Sequence, residues 1–212
     1  MTVSNLRWTG AALMAAGILF AVGIAIHPAD EFANFSSAAW AQAHWLVASA
    51  AILSLFGLTG LYVRWLGSQG ALGVAAYVLS TIGFALVVFA ALLEGAVVPP
   101  IAASAQGAET LLSMDGPVFS GSFGLVFLSL LATFGLGGLL LGWTLYQGKL
   151  GAPYGALLWA VGAPLFAVGI MTEQQLLMTI FGVLTGAGML WVGYSLWSAE
   201  SAAAAAGAPA TP

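Results

Sequence analysis

The hydrophobic and polar positions of this chain fall into six long apolar runs separated by polar breaks. The runs cover residues 8–26, 41–63, 71–98, 122–146, 154–171 and 176–197. Each is close to the roughly 20 residues that an α-helix needs to cross a hydrocarbon core about 30 Å thick. The pattern therefore predicts an all-α integral membrane protein with six transmembrane helices. Runs three and four are longer than the core and should tilt or emerge from it, and Pro164 should kink the short fifth run. His27-Pro28 should end the first helix, and Pro99-Pro100 the third.

The same pattern repeats. Runs two and three turn through RWLGSQG, and runs four and five turn through GWTLYQG and KLGAP. Placing Gly57 on Gly135 also brings Gly60 onto Gly138, Trp65 onto Trp143 and Gln69-Gly70 onto Gln147-Gly148. After a one-residue shift, Gly83 meets Gly162 and Glu94 meets Glu173. Spans 2-3 and 4-5 are therefore expected to be a parallel duplicated hairpin, related by a pseudo-twofold axis along the membrane normal. Residues 1–198 form one domain on this reading, and the Ala- and Pro-rich stretch 199–212 is expected to be a disordered tail.

Composition agrees with the apolar pattern: 61% of the 212 residues are hydrophobic, 5% are charged, and the mean hydropathy is +1.05. A soluble core of this size could not hide so much apolar surface. Charge sets the expected orientation. Arg7, Arg64 and Lys149 fall on one side of the six runs, and Asp30, Glu31, Glu109, Asp115 and Glu173 fall on the other. The positive-inside rule then puts both termini in the cytoplasm of a multi-pass protein in the cell (plasma) membrane. The first run lacks a clear small-residue cleavage site and is read as an anchor, not a signal peptide. A net charge of −4 argues against a nucleic-acid partner. The lack of cysteine excludes disulfides, thiolate metal sites and cysteine nucleophiles.

Small residues mark packing faces. Gly17 with Ala21, Gly138 with Gly142, and Gly182 with Gly186 each let a second helix approach closely, within the bundle or between subunits. Trp40 and Trp45 are expected at interfacial depth. Ser36 or Ser37 should cap the second helix. Ile101 to Ser120 is the longest loop, and its Ala-rich part should form an interfacial helix carrying Leu111, Leu112 and Met114 on one side.

Few residues can carry chemistry. His27, His44, Glu94 and Glu173 are all expected near the outer ends of their spans, so helix rise alone puts them at a common depth. Two imidazoles and two carboxylates could ligate a divalent metal such as zinc, or bind a small ligand beneath the long loop. Two histidines could also hold a haem iron. The bland alternative is that these groups snorkel to water, with Glu94 simply paired to His44. Glu94 could serve as a base in a metal-dependent membrane enzyme, although the residues lean away from catalysis. No phosphate-binding loop or dinucleotide fingerprint occurs.

His27-Pro28, Trp40, Ala43-His44, the run from Gly57 to Tyr62, Arg64 and Glu94 together make a recurring string. In it the chain resembles a group of small, uncharacterised bacterial polytopic membrane proteins. The likeness covers about the first half of the chain and implies a topology but no activity. The sequence is thus read as a membrane bundle with an outward-facing His/Glu cluster that binds a metal ion or small ligand. The alternative is an accessory subunit of a larger membrane complex, contacted through glycine-rich spans four and six or through self-association.

Overall fold

A computed structural model describes residues 3–104, 106–113, 116–118, 120–148 and 152–205, with backbone only at 3–6, 122 and 200–205. Met114, Asp115, Lys149 and the last seven residues therefore lie outside the described residues. Among those described, the chain is helical and has no strand. The long helices are α1 (Val3–Ala25), α3 (Ala38–Arg64), α4 (Gly70–Leu92), α7 (Gly121–Gln147), α8 (Pro153–Met171) and α9 (Gln175–Ala205). Short helices α2 (Phe32–Phe35), α5 (Val98–Ser104) and α6 (Ala108–Leu112) lie at one end.

Among the described residues, six helices are long and apolar enough to cross a membrane. Their outward surfaces match that solvent: Ile18, Phe56, Leu125, Leu136 and Val161 are each about half exposed or more. That much apolar surface facing water would drive aggregation, whereas facing lipid it costs nothing.

The six long helices close into a ring. Going round, α1 packs on α3, α3 on α4, α4 on α7, α7 on α8, α8 on α9, and α9 back on α1. Between lipid and protein the hydrophobic effect offers no net drive, so close backbone approach must hold the ring together. Glycine provides it. A Cβ on Gly17 would lie 2.4 Å from the Gly186 carbonyl oxygen, and one on Gly193 would lie 2.7 Å from the Met14 nitrogen. Gly138 and Gly142 face Ala163 and Ala160 of α8, and Gly188 faces Trp159. These faces, expected to pack within the bundle or between subunits, are filled within it.

Aromatic rings plug the ring's centre. Phe20, Phe84, Phe134 and Phe166 come from four different helices and meet at centroid distances of 5.3–5.9 Å. Such pairs add about 0.5–1.5 kcal/mol each beyond their packing. On the far side, fully buried Leu13, Leu58, Leu61, Leu141 and Met189 continue a solid core. On the near side the bundle opens into a cavity.

Three details depart from expectation. The third helix does not stop at Pro99-Pro100: a π-helical turn, Leu93–Val97, leads into α5. The two prolines directly follow the π turn, where the hydrogen-bond register has already changed, and the helix runs on to Ser104. The expected single interfacial helix is two, broken at Gly107, whose φ of 74° is left-handed. Leu112 is buried and Leu111 is not, so they do not share one face. Finally, α9 runs on through Ala205, as strong helix formers allow. Pro164 lies inside α8 without ending it.

Candidate functional site

The site is built where α1, α3 and the π turn meet. α1 ends at Ala25, and His27 follows with its backbone nitrogen bonded to Ile24. The Pro28 ring stops any further helix. The carbonyl of His27 accepts from Gln175 Nε2 at 2.9 Å, which ties this loop to the start of α9. Ser37 caps α3 by accepting from the Trp40 nitrogen at 3.2 Å. Trp40 and His44 are one turn apart on the inner face of α3 and are both buried. Of the two tryptophans expected at interfacial depth, Trp40 points inward, 2% exposed with its ring 5.0 Å from that of His27, while Trp45 is half exposed.

The π turn aims Glu94. Its extra residue per turn breaks the helical register at the point where the carboxylate must face α3. Trp40 Nε1 donates to the Glu94 carbonyl at 2.9 Å, pinning that turn. Gly95 is required beneath it, since a Cβ there would lie 2.9 Å from the His44 Cβ.

Hydrogen-bond logic fixes the protons on the imidazoles. His27 Nδ1 lies 2.7 Å from the Pro28 carbonyl, and His44 Nδ1 lies 2.8 Å from the Trp40 carbonyl. A carbonyl can only accept, so both Nδ1 atoms carry hydrogen. Both Nε2 atoms therefore turn toward each other, 3.4 Å apart, and Glu94 Oε2 is 2.8 Å from His44 Nε2. Three acceptor positions converge, and a shared proton must lie between His44 and Glu94, because two bare acceptors at that distance repel. Burial holds His27 neutral: together with the neighbouring His44, and against the Pro28 bond and the Glu94 charge, it lowers the pKa to about 4. His27 Nε2 is thus an open acceptor.

These groups top a cavity of about 340 Å³. Its floor is Phe20 and Phe166 of the aromatic plug, and its walls include Val87, Ala91, Leu130 and Met178. Phe32 and Phe35 of α2, with Glu109, Leu112 and Ser113 of α6, line its outer end, so the longest loop does lie over the site. All four sequence-predicted residues line it, but not alike. His44 and Glu94 are joined by a hydrogen bond with His27 Nε2 3.4 Å from His44 Nε2, while Glu173 stands apart at the exposed rim.

Glu173 has an unusual backbone. Its nitrogen bonds to the Ile170 carbonyl, and the Gln174 nitrogen bonds to the Gly169 carbonyl. This pair of bonds ends α8 with a left-handed residue, a place that glycine ordinarily takes. Glu173 occupies it at φ 53°.

Asp30 and Glu109 were counted in the sequence only as outer-loop charges, yet both line the cavity. Asp30 is raised to about 6, first by burial of its carboxyl and then by repulsion from Glu94. Nothing in its local sequence distinguishes it from Glu31; only the fold of the loop selects it.

Among the described residues, no group of three or more His, Asp and Glu side chains has the placement to hold a metal ion. The 2.8 Å His44–Glu94 separation is that of a proton bridge. Two Nε2 atoms 3.4 Å apart also cannot sandwich a haem iron unless they move apart. Set against protein-family models, curated proteins and solved structures, the chain matches none, so the site rests on its own residues.

Proposed function

We propose that this protein is a membrane-embedded binding bundle that holds a small ligand with an apolar body in the cavity beneath α6. His27, His44, Glu94 and Glu173 contact the ligand's polar end. The observation carrying this reading is the convergence of His27 Nε2, His44 Nε2 and Glu94 Oε2 on a largely apolar cavity. Ligand sites typically combine such walls, enclosing a few hundred Å³, with a small number of fixed polar groups. The site faces away from the cytoplasm of a plasma membrane on this reading, since Arg7 and Arg64 lie at the opposite ends of α1 and α3 from the cluster.

Two further expectations belong to the same proposal. The hairpins α3–α4 and α7–α8 are two places apart in a ring of six, so a rotation relating them is nearer a third of a turn than a half. Gly83 and Gly162 each face the following helix, which supports a duplication. Gly57 and Gly60 face the preceding helix while Gly135 and Gly138 face the following one, which limits it to part of each hairpin. An accessory-subunit role loses support because the glycine faces are filled internally.

A divalent ion is the second reading. Both imidazoles have their Nδ1 held by a backbone carbonyl, the arrangement that usually orients metal-binding histidines. Their 3.4 Å Nε2 spacing is close to a tetrahedral edge of about 3.3 Å at zinc, but Glu94 would have to move.

The test is binding of 4-phenylbutanol to the protein in lipid nanodiscs by calorimetry. Saturable uptake that is lost in Ala91→Phe and Leu130→Phe, which fill the cavity walls, is expected. Equal uptake by wild type and both variants would mean partition into lipid and refute the reading. Stoichiometric zinc in the purified protein, lost in His44→Ala, would favour the ion instead.

A further inference from the structure

The cavity selects its occupant by charge as well as by shape. Its acidic lining residues are Asp30, Glu94, Glu109 and Glu173; the proton shared between His44 and Glu94 means that this pair adds no net charge, so the excess is carried by the other three. Four of the chain's seven acidic residues are drawn to one cavity, with no lysine or arginine among its described lining. Deeper in, the available polar atoms are acceptors as well. His27 Nε2 has a free lone pair, and Glu94 keeps its second oxygen beyond the bond to His44. His44, only 6% exposed, already commits its Nδ1 hydrogen to Trp40. A neutral acceptor or an anion would meet acceptors and repulsion here, whereas a donor-rich cation would be met by both.

The walls decide what carries the charge. A bare inorganic cation would leave most of about 340 Å³ unfilled and face Phe20, Phe127, Leu130 and Phe166, which offer no oxygen ligands. At the outer end Phe32 and Phe35 add apolar surface that suits an organic body.

We propose that the ligand of this cavity is a primary or secondary ammonium borne on a hydrocarbon or aromatic body. Its N–H donors bind His27 Nε2 and Glu94, and Glu173 and Asp30 supply the negative rim that attracts and flanks the head. The body lies on the aromatic floor. The inference rests on the ligand-binding reading above and adds the chemical class.

Repulsion among the rim acids supports it. Asp30 is pushed up first by burial and then by Glu94 and, more weakly, Glu173, against His44, and a bound cation between the acids removes the repulsive part. Glu173 holds a carboxylate at a left-handed position where glycine would sit without strain.

The experiment uses three probes of one body and different charge: 4-phenylbutylammonium, 4-phenylbutanol and 4-phenylbutyrate. Each is titrated into the full chain in zwitterionic-lipid nanodiscs at neutral pH. The expected result is ammonium binding at least about tenfold tighter than the alcohol, with the carboxylate weakest. Glu94→Gln should bring ammonium and alcohol close to parity, and Glu173→Gln, at the exposed rim where misfolding is less of a concern, should close part of the gap. Equal affinity for ammonium and alcohol in the wild type, or a preference for the carboxylate, overturns the cation class but leaves the cavity reading standing. Failure of all three probes to bind saturably overturns both. An ammonium preference that survives unchanged in both variants places the charge selection elsewhere and refutes the assignment of the head.

Discussion

Glu173 offers a test of how the fold is weighed against the site. In the left-handed region a residue with a Cβ is disfavoured by about 1–2 kcal/mol, and glycine is not. Glycine also gives the unfolded chain more freedom, which costs about 0.4–1 kcal/mol. The difference leaves Glu173→Gly more stable than Glu173→Ala by about 0.5–1 kcal/mol. Both variants remove the same carboxylate and the same repulsion on Asp30, so their difference isolates the backbone. Reversible unfolding in mixed micelles, comparing the two variants with wild type, measures it. Glu173→Gly should be the more stable of the two while losing the same part of the cation preference as Glu173→Ala. Equal stability of the two variants would refute the strain argument and make the left-handed turn incidental.

Two further outcomes follow from the site's geometry. Gly95→Ala puts a Cβ 2.9 Å from the His44 Cβ, so the π turn must back away from α3. Stability should fall by about 1–3 kcal/mol, with a weakened preference for the ammonium probe; a variant with wild-type binding would show that the close approach is dispensable. The second outcome concerns pH. His27 is lowered to about 4 from 6.5, so its contribution to stability is complete above pH 6.5 and is lost as pH falls toward 4. Asp30 is raised to about 6 from 3.8, so its contribution is present below pH 3.8 and is lost as pH rises through 6. The two oppose each other between pH 4 and 6. Asp30 is exposed on its loop side and screened by water, so His27 dominates and stability should rise from pH 4 to 6.5. Asp30→Asn should steepen that rise and His27→Phe should abolish it; unfolding midpoints that fall over this range in the wild type would contradict the assignment.

Much of this was legible in the residues because membrane helices announce themselves by length and composition alone. A run of about 20 apolar residues has one stable form in lipid, since every backbone group must be paired within the segment. Six runs therefore gave six long helices with ends near those expected. The depth of His27, His44, Glu94 and Glu173 also followed from helix rise, which is a local property. Ser37 as a cap and Gly17 with Ala21 as a packing face are local signals of the same kind.

What the chain could not state locally was decided by tertiary packing. Residues rich in alanine and glycine do not encode which helix faces which, so the ring order and the internal use of the glycines needed the fold. Pro99-Pro100 reads as a stop, and only the π turn before it turns the same residues into the start of α5. Asp30 and Glu109 look like any loop acids until α2 and α6 fold over the cavity. The proton arrangement at His27, His44 and Glu94 depends on distances between atoms 17 and 50 residues apart in the chain. Such distances are set by how helices pack, and packing sums many weak contacts that no single stretch of sequence contains.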